Sequence, residues 1–329
     1  MKEFFQFKKN YFFKLKIIII IIFSLYFIKI IMGIIFSKNK LDIHFKYNHY
    51  QREMITEKII KYSSWQSLNE QPYFLNGIIR KHKPKKCLEI GVSIGGSSII
   101  ILNAIKDIKN TFLISLDLNT QLYYDDKLKT GDSVFRYFPE LTEKWKLYTG
   151  EQSHKFLDKL KLKYDFLLLD TAHLSPGELI NIIEVLPFLE DNAIIVLHDI
   201  MFHLPSNHYF TTKEIKFHPS NIFLMTALYG DKLILEDGKK KIENIGAIQL
   251  YSNQKKYYLN YFLLLLTPWE YIPKEKHIQE LRWFIKNYYK EEIYLKLFNK
   301  AVEENKIYVN KFTKFYKAYH PLFNKYKLY

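Results

Sequence analysis

The sequence contains a single cysteine, Cys87, among its 329 residues. One cysteine excludes an internal disulfide framework and any metal site that is built from several cysteines. Because Cys87 lies within an apolar run, we expect it to pack as a small hydrophobic side chain. The chain also lacks an arginine-rich stripe, a Cys/His finger and the aromatic signature of RNA-binding domains, so no nucleic-acid partner is expected.

Acidic residues are scarce relative to basic ones. The chain has 49 lysines and arginines against 34 aspartates and glutamates, a formal net charge of +15 at pH 7. Such a balance favours acidic partners, for example anionic lipid or an acidic polymer. A compositional bias of the source toward Ile, Lys, Asn and Tyr would explain the charge equally well. The 48% of apolar residues is enough to build a core.

The N-terminal region contains the segment "IIIIIIFSLYFIKIIMGIIF", Ile17 to Phe36, in which Lys29 is the one charged residue. As a helix it would reach about 30 Å, the thickness of the hydrocarbon core of a bilayer. No small-residue cleavage site follows it, so we predict an uncleaved membrane anchor. A helix lying in the membrane interface is the alternative, because a buried Lys29 is costly. Five basic residues precede the segment and four follow, so charge alone does not set its orientation.

Downstream of residue 84, short apolar runs alternate with helical patterns. The runs that indicate strands are "KKCLEIG", "TFLISLDL", "WKLYTG", "YDFLLLD" and "NAIIVLHD", and "DKLILED" and "GAIQLYS" follow as a closing pair. Strands that are apolar along their whole length are typical of parallel sheets with helices on both faces. The sequence therefore predicts a doubly wound, mostly parallel α/β sheet, in which ligands bind beyond the carboxyl ends of the strands.

These patterns divide the chain into four predicted parts. They are a membrane anchor over residues 1–40, a helical connector or cap over 41–84, the α/β domain over 85–255, and a basic, aromatic helical extension over 256–329. We expect the extension to pack as amphipathic helices on the core while its lysines face solvent. A basic surface for anionic lipid or an acidic glycan is the alternative.

The glycine-rich stretch "CLEIGVSIGGSS", Cys87 to Ser98, follows the first predicted strand. A nucleoside-triphosphate loop ends in Gly-Lys-Ser/Thr, and this stretch has no such lysine. A dinucleotide fingerprint needs a glycine where this chain has Ser93, so a pyrophosphate has little room. The remaining interpretation pairs the Glu89 carboxylate with a positively charged ligand, such as the amino group of S-adenosylmethionine. An ordinary tight turn is the alternative.

Asp117 ends the second predicted strand, where a carboxylate can accept hydrogen bonds from both hydroxyls of a ribose. The alternative is an aspartate that caps the next turn. After the third strand, Gln152 or Ser153 is placed to meet an adenine. The predicted cosubstrate contacts are therefore Glu89, Gly91, Ser93, Gly95, Ser97, Asp117, Gln152 and Ser153.

A second set of polar residues follows two neighbouring strands. Asp170 ends "YDFLLLD", His173 lies three residues further on, and His198 and Asp199 end "NAIIVLHD". Because adjacent parallel strands lie about 4.8 Å apart, the two aspartates can converge on one divalent cation. Carboxylates favour Mg²⁺ or Mn²⁺ over Zn²⁺. His173 is then placed to act as a general base, whereas a surface histidine in a loop is the alternative.

The span from Lys85 to about Ser252 resembles the class I S-adenosylmethionine-dependent methyltransferases. The resemblance is carried by "LEIGVSIGGSS", "LDLN", "LLLDTAH" and "IIVLHD". Within this class the span is similar to the O-methyltransferases of the macrocin type and to the cephalosporin-hydroxylase-like proteins. The resemblance implies a seven-stranded Rossmann-like sheet, S-adenosyl-L-methionine as cosubstrate, and Mg²⁺ or another divalent cation.

The resemblance also implies roles for individual residues. It assigns the cosubstrate to Glu89, Gly91 and Gly95 and its ribose to Asp117, and it makes Asp170 a metal ligand, His173 the base and Asp199 the second acidic ligand. In the metal-dependent members a glutamate often precedes the last aspartate. This chain has His198 there, an imidazole that can also bind a metal.

The sequence thus predicts a membrane-anchored O-methyltransferase that acts on a hydroxyl of a sugar, a glycan or a glycolipid. Two alternatives remain: a metal-site enzyme of the same fold that transfers no methyl group, and a non-catalytic, membrane-tethered binding protein. The sequence leaves the acceptor and an oligomeric state open. Because S-adenosylmethionine is made in the cytosol, we expect the catalytic domain there.

The predicted anchor can be tested by cell fractionation. We expect the full chain to stay in the membrane pellet after extraction with alkaline carbonate, and a chain that begins at residue 41 to become soluble, because the apolar segment is then missing. Release of the full chain by carbonate would instead indicate a helix that lies in the interface. Cleavage of the catalytic domain by protease added to intact spheroplasts would contradict a cytosolic location.

Overall fold

Apolar strands pair into a seven-stranded sheet in the part of the chain that this computed structural model describes, namely residues 47–63, 70–122, 125–171, 173–200, 220–236 and 242–319. The strands are β1 (Lys86–Ile90), β2 (Phe112–Asp117), β3 (Trp145–Thr149), β4 (Tyr164–Leu169), β5 (Leu189–His198), β6 (Gly230–Glu236) and β7 (Ile242–Leu250). Their order across the sheet is β3-β2-β1-β4-β5-β7-β6.

The first five strands run parallel, whereas β7 lies antiparallel to β5 and β6 lies antiparallel to β7. The sheet is therefore mixed, with a parallel body and a closing antiparallel pair. β1 and β4 lie next to each other within the parallel body, and all but one side chain of each strand are buried. β3 buries only Trp145 and forms an edge. The prediction of a mostly parallel, Rossmann-like sheet of seven strands is confirmed.

Helices cover the sheet. They are α1 (Glu57–Tyr62), α2 (Gln71–His82), α3 (Gly96–Ile105), α4 (Asp132–Tyr137), α5 (Ser153–Leu160), α6 (Gly177–Val185), α7 (Ser220–Ala227), α8 (Tyr258–Leu264), α9 (Glu275–Tyr288) and α10 (Glu292–Tyr319). Short 3₁₀ helices lie at Tyr47–His49, Arg52–Met54, Pro139–Lys144, Leu186–Phe188 and Gln254–Tyr257. The helix α3 is buried along its whole length, since the sheet and its neighbouring helices enclose it.

The region that the sequence predicts as helical, residues 50–82, is interrupted in the structure. The Thr56 side chain accepts a hydrogen bond from the amide of Ile59, 3.4 Å away, and so begins α1 as a new helix. At the other end, Lys83 adopts a left-handed conformation that ends α2 one residue before Pro84. A side-chain cap at Thr56 and a backbone cap at Lys83, rather than apolar periodicity, set these boundaries.

The described part of the C-terminal extension packs on the core. Trp269 is completely buried, and its backbone amide donates to Asn305 Oδ1 on α10, 2.8 Å away. The Tyr289 hydroxyl donates to the carbonyl oxygen of Ile183 at the end of α6, 2.6 Å away. The side chains of Phe284 and Phe298 join the same apolar core as the sheet. These contacts are those expected of an amphipathic helical extension.

The predicted membrane anchor, residues 17–36, lies outside the described residues and stays a prediction. Among the described helices, none is both long and apolar enough to cross a membrane. The described residues all belong to one compact unit, and the domain boundaries at residues 84 and 255 likewise stay predictions.

Candidate active site

Polar residues collect at the carboxyl ends of four neighbouring parallel strands, β2, β1, β4 and β5. The turn after β1 contains Gly91 and Gly95, Asp117 is the last residue of β2, and Asp170 and Asp199 directly follow β4 and β5. The parallel register brings these ends to one edge of the sheet. That edge is where open α/β sheets bind their ligands.

The two glycines of the turn are required by the protein's own backbone. Gly91 has a φ of +89°, and a Cβ there would lie 1.7 Å from the carbonyl oxygen of Asp170. Gly95 has a φ of +99°, and a Cβ there would lie 2.8 Å from Val134 Cγ2. Ser93, between them, is exposed and also has a positive φ, of 50°. The turn can therefore bring bare backbone and the Ser93 side chain to a ligand, but close packing alone already explains its glycines.

The Glu89 carboxylate lies inside the protein. The hydroxyls of Ser97, Ser98 and Ser115 all donate to it, and the indole N–H of Trp145 donates to Ser115 Oγ, 2.8 Å away. Burial raises the pKa of Glu89 to about 7, although the three serine hydroxyls act in the opposite direction. Glu89 has no exposed surface and Ser97 almost none, and their contact with a cosubstrate stays a prediction. The hydrogen bonds from the three serines to Glu89 tie β1 to α3 and β2.

Asp117 keeps a half-buried position at the end of β2, as the sequence predicts, but backbone groups occupy most of its carboxylate. Oδ2 accepts hydrogen bonds from the amides of Val92 and Ser93, at 2.8 and 3.0 Å, and Oδ1 accepts from the amide of Asn119 at 2.8 Å. Burial raises the pKa of Asp117, and these amides partly offset the rise. A carboxylate has about four acceptor positions, so this arrangement leaves room for about one ribose hydroxyl rather than two.

The two residues predicted to contact adenine after β3 have different surroundings in the structure. Gln152 is half-buried at the N-cap of α5. Ser153, in contrast, is buried, and its hydroxyl donates to Glu184 within the helical layer. The Ser153 hydroxyl thus already has an internal acceptor, and its contact with an adenine stays a prediction. A cleft of about 390 Å³ opens nearby, beside Thr120, Leu147 and Thr149 at the ends of β2 and β3.

The four residues predicted at the ends of β4 and β5 do come together. His173 Nε2 lies 2.8 Å from Asp199 Oδ2 and 3.6 Å from Asp170 Oδ1. His198 Nδ1 lies 3.5 Å from the same Asp170 oxygen and 3.4 Å from the same Asp199 oxygen. We call Asp170, His173, His198 and Asp199 the strand-end cluster. Two imidazoles thus face two carboxylates across one small volume.

Backbone conformations at two members of the cluster are uncommon. His173 has a φ of +56° and Asp199 a φ of +54°, in the left-handed region that side chains other than glycine rarely adopt. Each such conformation costs on the order of 1–3 kcal/mol and is found most often at functional sites. Here the left-handed turns direct both side chains back over the strand ends, where they meet.

The carboxylates of the cluster raise the pKa values of its imidazoles, and the imidazoles lower the pKa of Asp199. Burial lowers the pKa of His173, but the carboxylates of Asp199, Asp170 and Glu178 raise it to about 9. Burial likewise lowers the pKa of His198, which Asp170 and Asp199 raise well above its ordinary value. The pKa of Asp199 would rise on burial, yet the two imidazoles hold it far below its ordinary value. In the protein alone, the cluster is therefore a set of imidazolium–carboxylate pairs.

Further residues that the sequence did not indicate hold the cluster in place. Gln71 Oε1 lies 2.8 Å from His198 Nε2, and the Asn244 side chain donates to Asp199 Oδ1. The backbone amide of His173 donates to the completely buried Glu178, and Glu178 Oε1 lies 3.7 Å from His173 Nδ1. Gln71 is 127 residues from its partner and Asn244 is 45 residues from its own, so no local pattern could have found them.

The strand-end cluster has the donor atoms of a divalent-cation site. One ligand atom each from Asp170, His173 and Asp199 lies within 4.8 Å of the other two. Ligand atoms about 2.0–2.2 Å from one metal ion are separated by about 3.0–3.5 Å when they are neighbours in its coordination shell. The separations of 2.8 to 3.6 Å in the cluster bracket that range. The residues present therefore fit a cation.

Residues 88–200 match the family model of a methyltransferase domain. The match begins in β1 and ends just after Asp199, so it contains the glycine turn and the whole strand-end cluster. It confirms the prediction of an enzyme of the methyltransferase class in this part of the chain. No curated protein matches the chain in sequence.

Several solved structures are similar to part of the chain. One is the O-methyltransferase TomG from Streptomyces achromogenes, involved in tomaymycin synthesis, in complex with SAM: identity 13%, TM-score 0.43, covering 60% of this chain and 91% of that one. Another is an O-methyltransferase from Bacillus cereus in complex with SAH. Its identity is 13% and its TM-score 0.42, and the match covers 60% of this chain and 90% of that one. A third is the SAH-bound methyltransferase PaMTH1 of Podospora anserina. Its identity is 16% and its TM-score 0.44, and the match covers 60% of this chain and 89% of that one. At these identities and scores, the likeness does not extend to substrate or metal.

The raised pKa of Glu89 predicts how stability depends on pH. The folded protein holds the Glu89 proton up to about pH 7, whereas the ordinary pKa is 4.5. The contribution of this group to stability is therefore fully present below pH 4.5 and is lost as the pH rises through about 7. The near-isosteric Glu89→Gln variant has no such proton to lose.

We expect the free energy of unfolding of the unmodified protein, minus that of Glu89→Gln, to fall by on the order of 2 kcal/mol between about pH 5 and pH 8. Urea unfolding of both proteins across this range measures the difference, in which the other titrating groups cancel. A difference that stays constant with pH would show that Glu89 does not hold its proton in the fold.

Proposed function

We propose that this protein is an S-adenosylmethionine-dependent O-methyltransferase that uses a divalent cation and acts on a hydroxyl of a sugar, a glycan or a glycolipid. The observation that carries the proposal is the convergence of Asp170, His173 and Asp199 at one edge of the sheet. The same edge holds the glycine turn, which follows β1, and Asp117, which ends β2. In the sheet order, β1 is two strands from β5, which Asp199 follows, and β2 is one strand further. A cosubstrate and an acceptor can thus meet over neighbouring strand ends.

Methyl transfer to a hydroxyl forms one O–CH₃ bond, breaks the S–CH₃ bond of the sulfonium and releases the hydroxyl proton. Two tasks fall to the protein. It must hold the acceptor oxygen in line with the methyl group, which can supply a large part of the rate enhancement. It must also provide a group that receives the proton. The glycine turn and Asp117 serve the first task on the cosubstrate side, and the strand-end cluster serves the second.

Asp117 is the residue of this chain best placed to fix the cosubstrate. Its carboxylate holds the amides of Val92 and Ser93 and so gives the turn one shape. A ribose hydroxyl can donate to its remaining acceptor position. Ser93 is exposed at the tip of the turn and offers a hydroxyl to the methionine part. Glu89 acts from inside, by holding Ser97 and Ser98 at the start of α3.

Asp170 and Asp199 are the residues that would hold the cation, together with one imidazole of the cluster. When bound there, a divalent cation lowers the pKa of a hydroxyl that it contacts and weakens the pull of the carboxylates on the imidazole pKa values. His173 in its neutral form can accept the hydroxyl proton at Nε2. The buried Glu178 carboxylate faces its other ring nitrogen and keeps the ring in place.

The two imidazoles have partly interchangeable geometry. The sequence assigns the ligand role to His198 and the base to His173, yet the ring nitrogens of both lie within 3.6 Å of Asp170 and Asp199. His198 is the more buried of the two, and its other ring nitrogen is directed at Gln71. A general base must reach the acceptor, and the His173 side chain is 25% exposed against 8% for His198. The proposal therefore keeps His198 as ligand and His173 as base.

The acceptor class is supported by the chain outside the α/β domain. The predicted N-terminal anchor would hold the enzyme at a membrane, with its catalytic domain on the cytosolic side where the cosubstrate is made. The excess of lysine favours acceptors that lie beside anionic lipid or carry acid groups themselves. Glycolipids and lipid-linked glycans combine both properties.

The proposal predicts separate losses for the two halves of the site. Asp170→Asn and Asp199→Asn should each lose most methyl transfer but still bind S-adenosylmethionine, because the cosubstrate contacts lie on β1 and β2. Isothermal titration measures binding, and a 14 Da mass increase of glycans or lipids from cells that carry the gene reports transfer. Asp231→Asn, on the edge strand β6, is the matched control with unchanged activity. Full transfer by both cluster variants in excess chelator would contradict the proposal.

The two histidines should respond differently. His173→Ala should keep its cation affinity but lose roughly 10²–10⁴-fold in rate, and the loss should shrink at high pH, where hydroxide can remove the proton. His198→Ala should lose cation affinity, measured by titration calorimetry with Mg²⁺ or Mn²⁺. If cation affinity instead falls in His173→Ala and not in His198→Ala, the two roles are reversed.

A further inference from the structure

A second cluster of ligand-type side chains lies between helices, away from the strand ends. His154 belongs to the first turn of α5, Glu184 to the last turn of α6 and His277 to the first turn of α9. One ligand atom from each lies within 4.8 Å of the other two. We call these three residues the helix-layer cluster. The proposed reaction makes no use of it.

Both imidazoles are directed at one oxygen of a completely buried carboxylate. His154 Nδ1 lies 2.8 Å and His277 Nε2 3.4 Å from Glu184 Oε1. The two rings stack in nearly parallel planes, with centroids 5.7 Å apart. His154 and Glu184 are buried, while His277 keeps 16% of its side chain exposed. Among the three residues, the exposed surface therefore belongs to His277.

The groups around the cluster hold it as outer partners hold metal ligands. The Ser153 hydroxyl and the Asn181 amide both donate to Glu184 Oε2, which leaves Oε1 for the imidazoles. Glu280 Oε2 faces His154 Nε2 from the opposite side, 3.8 Å away. A metal-bound histidine usually has a carboxylate beside its other ring nitrogen, and Glu280 lies on that side of His154.

A cation between the three side chains would satisfy all of them together. Without one, His154 Nδ1–H can donate to Glu184 Oε1 across 2.8 Å, while His277 Nε2 lies 3.4 Å from the same oxygen. Protonating both stacked imidazoles would place two like charges close together in a buried site. A single cation instead satisfies both ring nitrogens and the carboxylate at once.

We infer that His154, Glu184 and His277 bind one divalent transition-metal ion, for which two imidazoles and one carboxylate make zinc the best match. Three protein ligands of these types are a known zinc donor set, with a fourth position left for water. The separations of 2.8 and 3.4 Å are those of neighbouring ligand atoms around such an ion.

The ion would join the C-terminal extension to the methyltransferase domain. α9 supplies His277, while α5 and α6, which follow β3 and β4, supply the other two ligands. The contact lies beside the aromatic packing of Phe284 on Phe188 and His154. Zinc would thus stabilise the fold rather than take part in methyl transfer.

The test uses the full chain with the double substitution His173→Ala and Asp199→Asn, so that the strand-end cluster does not contribute. After chelator treatment and addition of Zn²⁺, we expect this protein to retain a single equivalent of zinc and to show a higher melting temperature with zinc than without. Adding His277→Ala should abolish both effects. His49→Ala, which removes an exposed imidazole elsewhere, is the matched control and should change neither.

Co²⁺ in place of zinc gives a readout that needs no further variant. A cobalt ion with imidazole and carboxylate ligands should give the strong visible absorption of a tetrahedral or five-coordinate site. The inference is overturned if the doubly substituted protein retains no zinc and shows no such band, or if His277→Ala keeps the zinc and the melting shift of its parent. If His277→Ala does not fold, His277→Gln, which fills the same space without an imidazole, takes its place with the same expectations.

Discussion

The buried Glu89 carboxylate is the interaction on which the rest of the candidate site depends. A carboxylate without solvent must be satisfied by donors, and here serines from α3 and β2 supply them. Those bonds fix where α3 begins relative to β1, and so fix the glycine turn between them. The same network reaches the edge strand through Trp145. A polar group at the centre of the sheet thereby sets the positions of elements that apolar packing alone would specify less tightly.

From this fixed centre, sheet topology explains the rest of the geometry. β1 and β4 are neighbours, so the turn after β1 touches the backbone of Asp170, which is why Gly91 cannot carry a side chain. β5 is the next strand, and its end brings Asp199 within contact distance of His173. The carboxylates of both strand ends raise the pKa values of the two imidazoles, and the imidazoles lower the pKa of Asp199. Position and charge therefore follow from strand order.

The sequence predicts the parallel body of the sheet well, because continuous apolar strands between helical patterns have few other arrangements. It also brings Asp170, His173, His198 and Asp199 together correctly, since each directly follows one of two adjacent strands. It does not indicate that Glu89 is completely buried against serines, although serines inside otherwise apolar segments were a signal of an internal partner. Capping at Thr56 divided a region that periodicity alone made continuous. The roles of the candidate residues remain predictions.

The antiparallel end of the sheet has a consequence for biosynthesis. Asn244 on β7 donates a hydrogen bond to Asp199, and Gln71 is hydrogen-bonded to His198. The candidate site therefore joins a residue that precedes the five parallel strands in the chain with one that follows them. A chain emerging from the ribosome can pair β1 to β5 in sequence, yet the strand that completes the site is synthesised last. Until β7 is released and docked beside β5, the nascent chain carries an unpaired strand edge and an unfinished cluster of charges. Such an intermediate is exposed to aggregation, and we expect it to be the stage at which chaperones matter most.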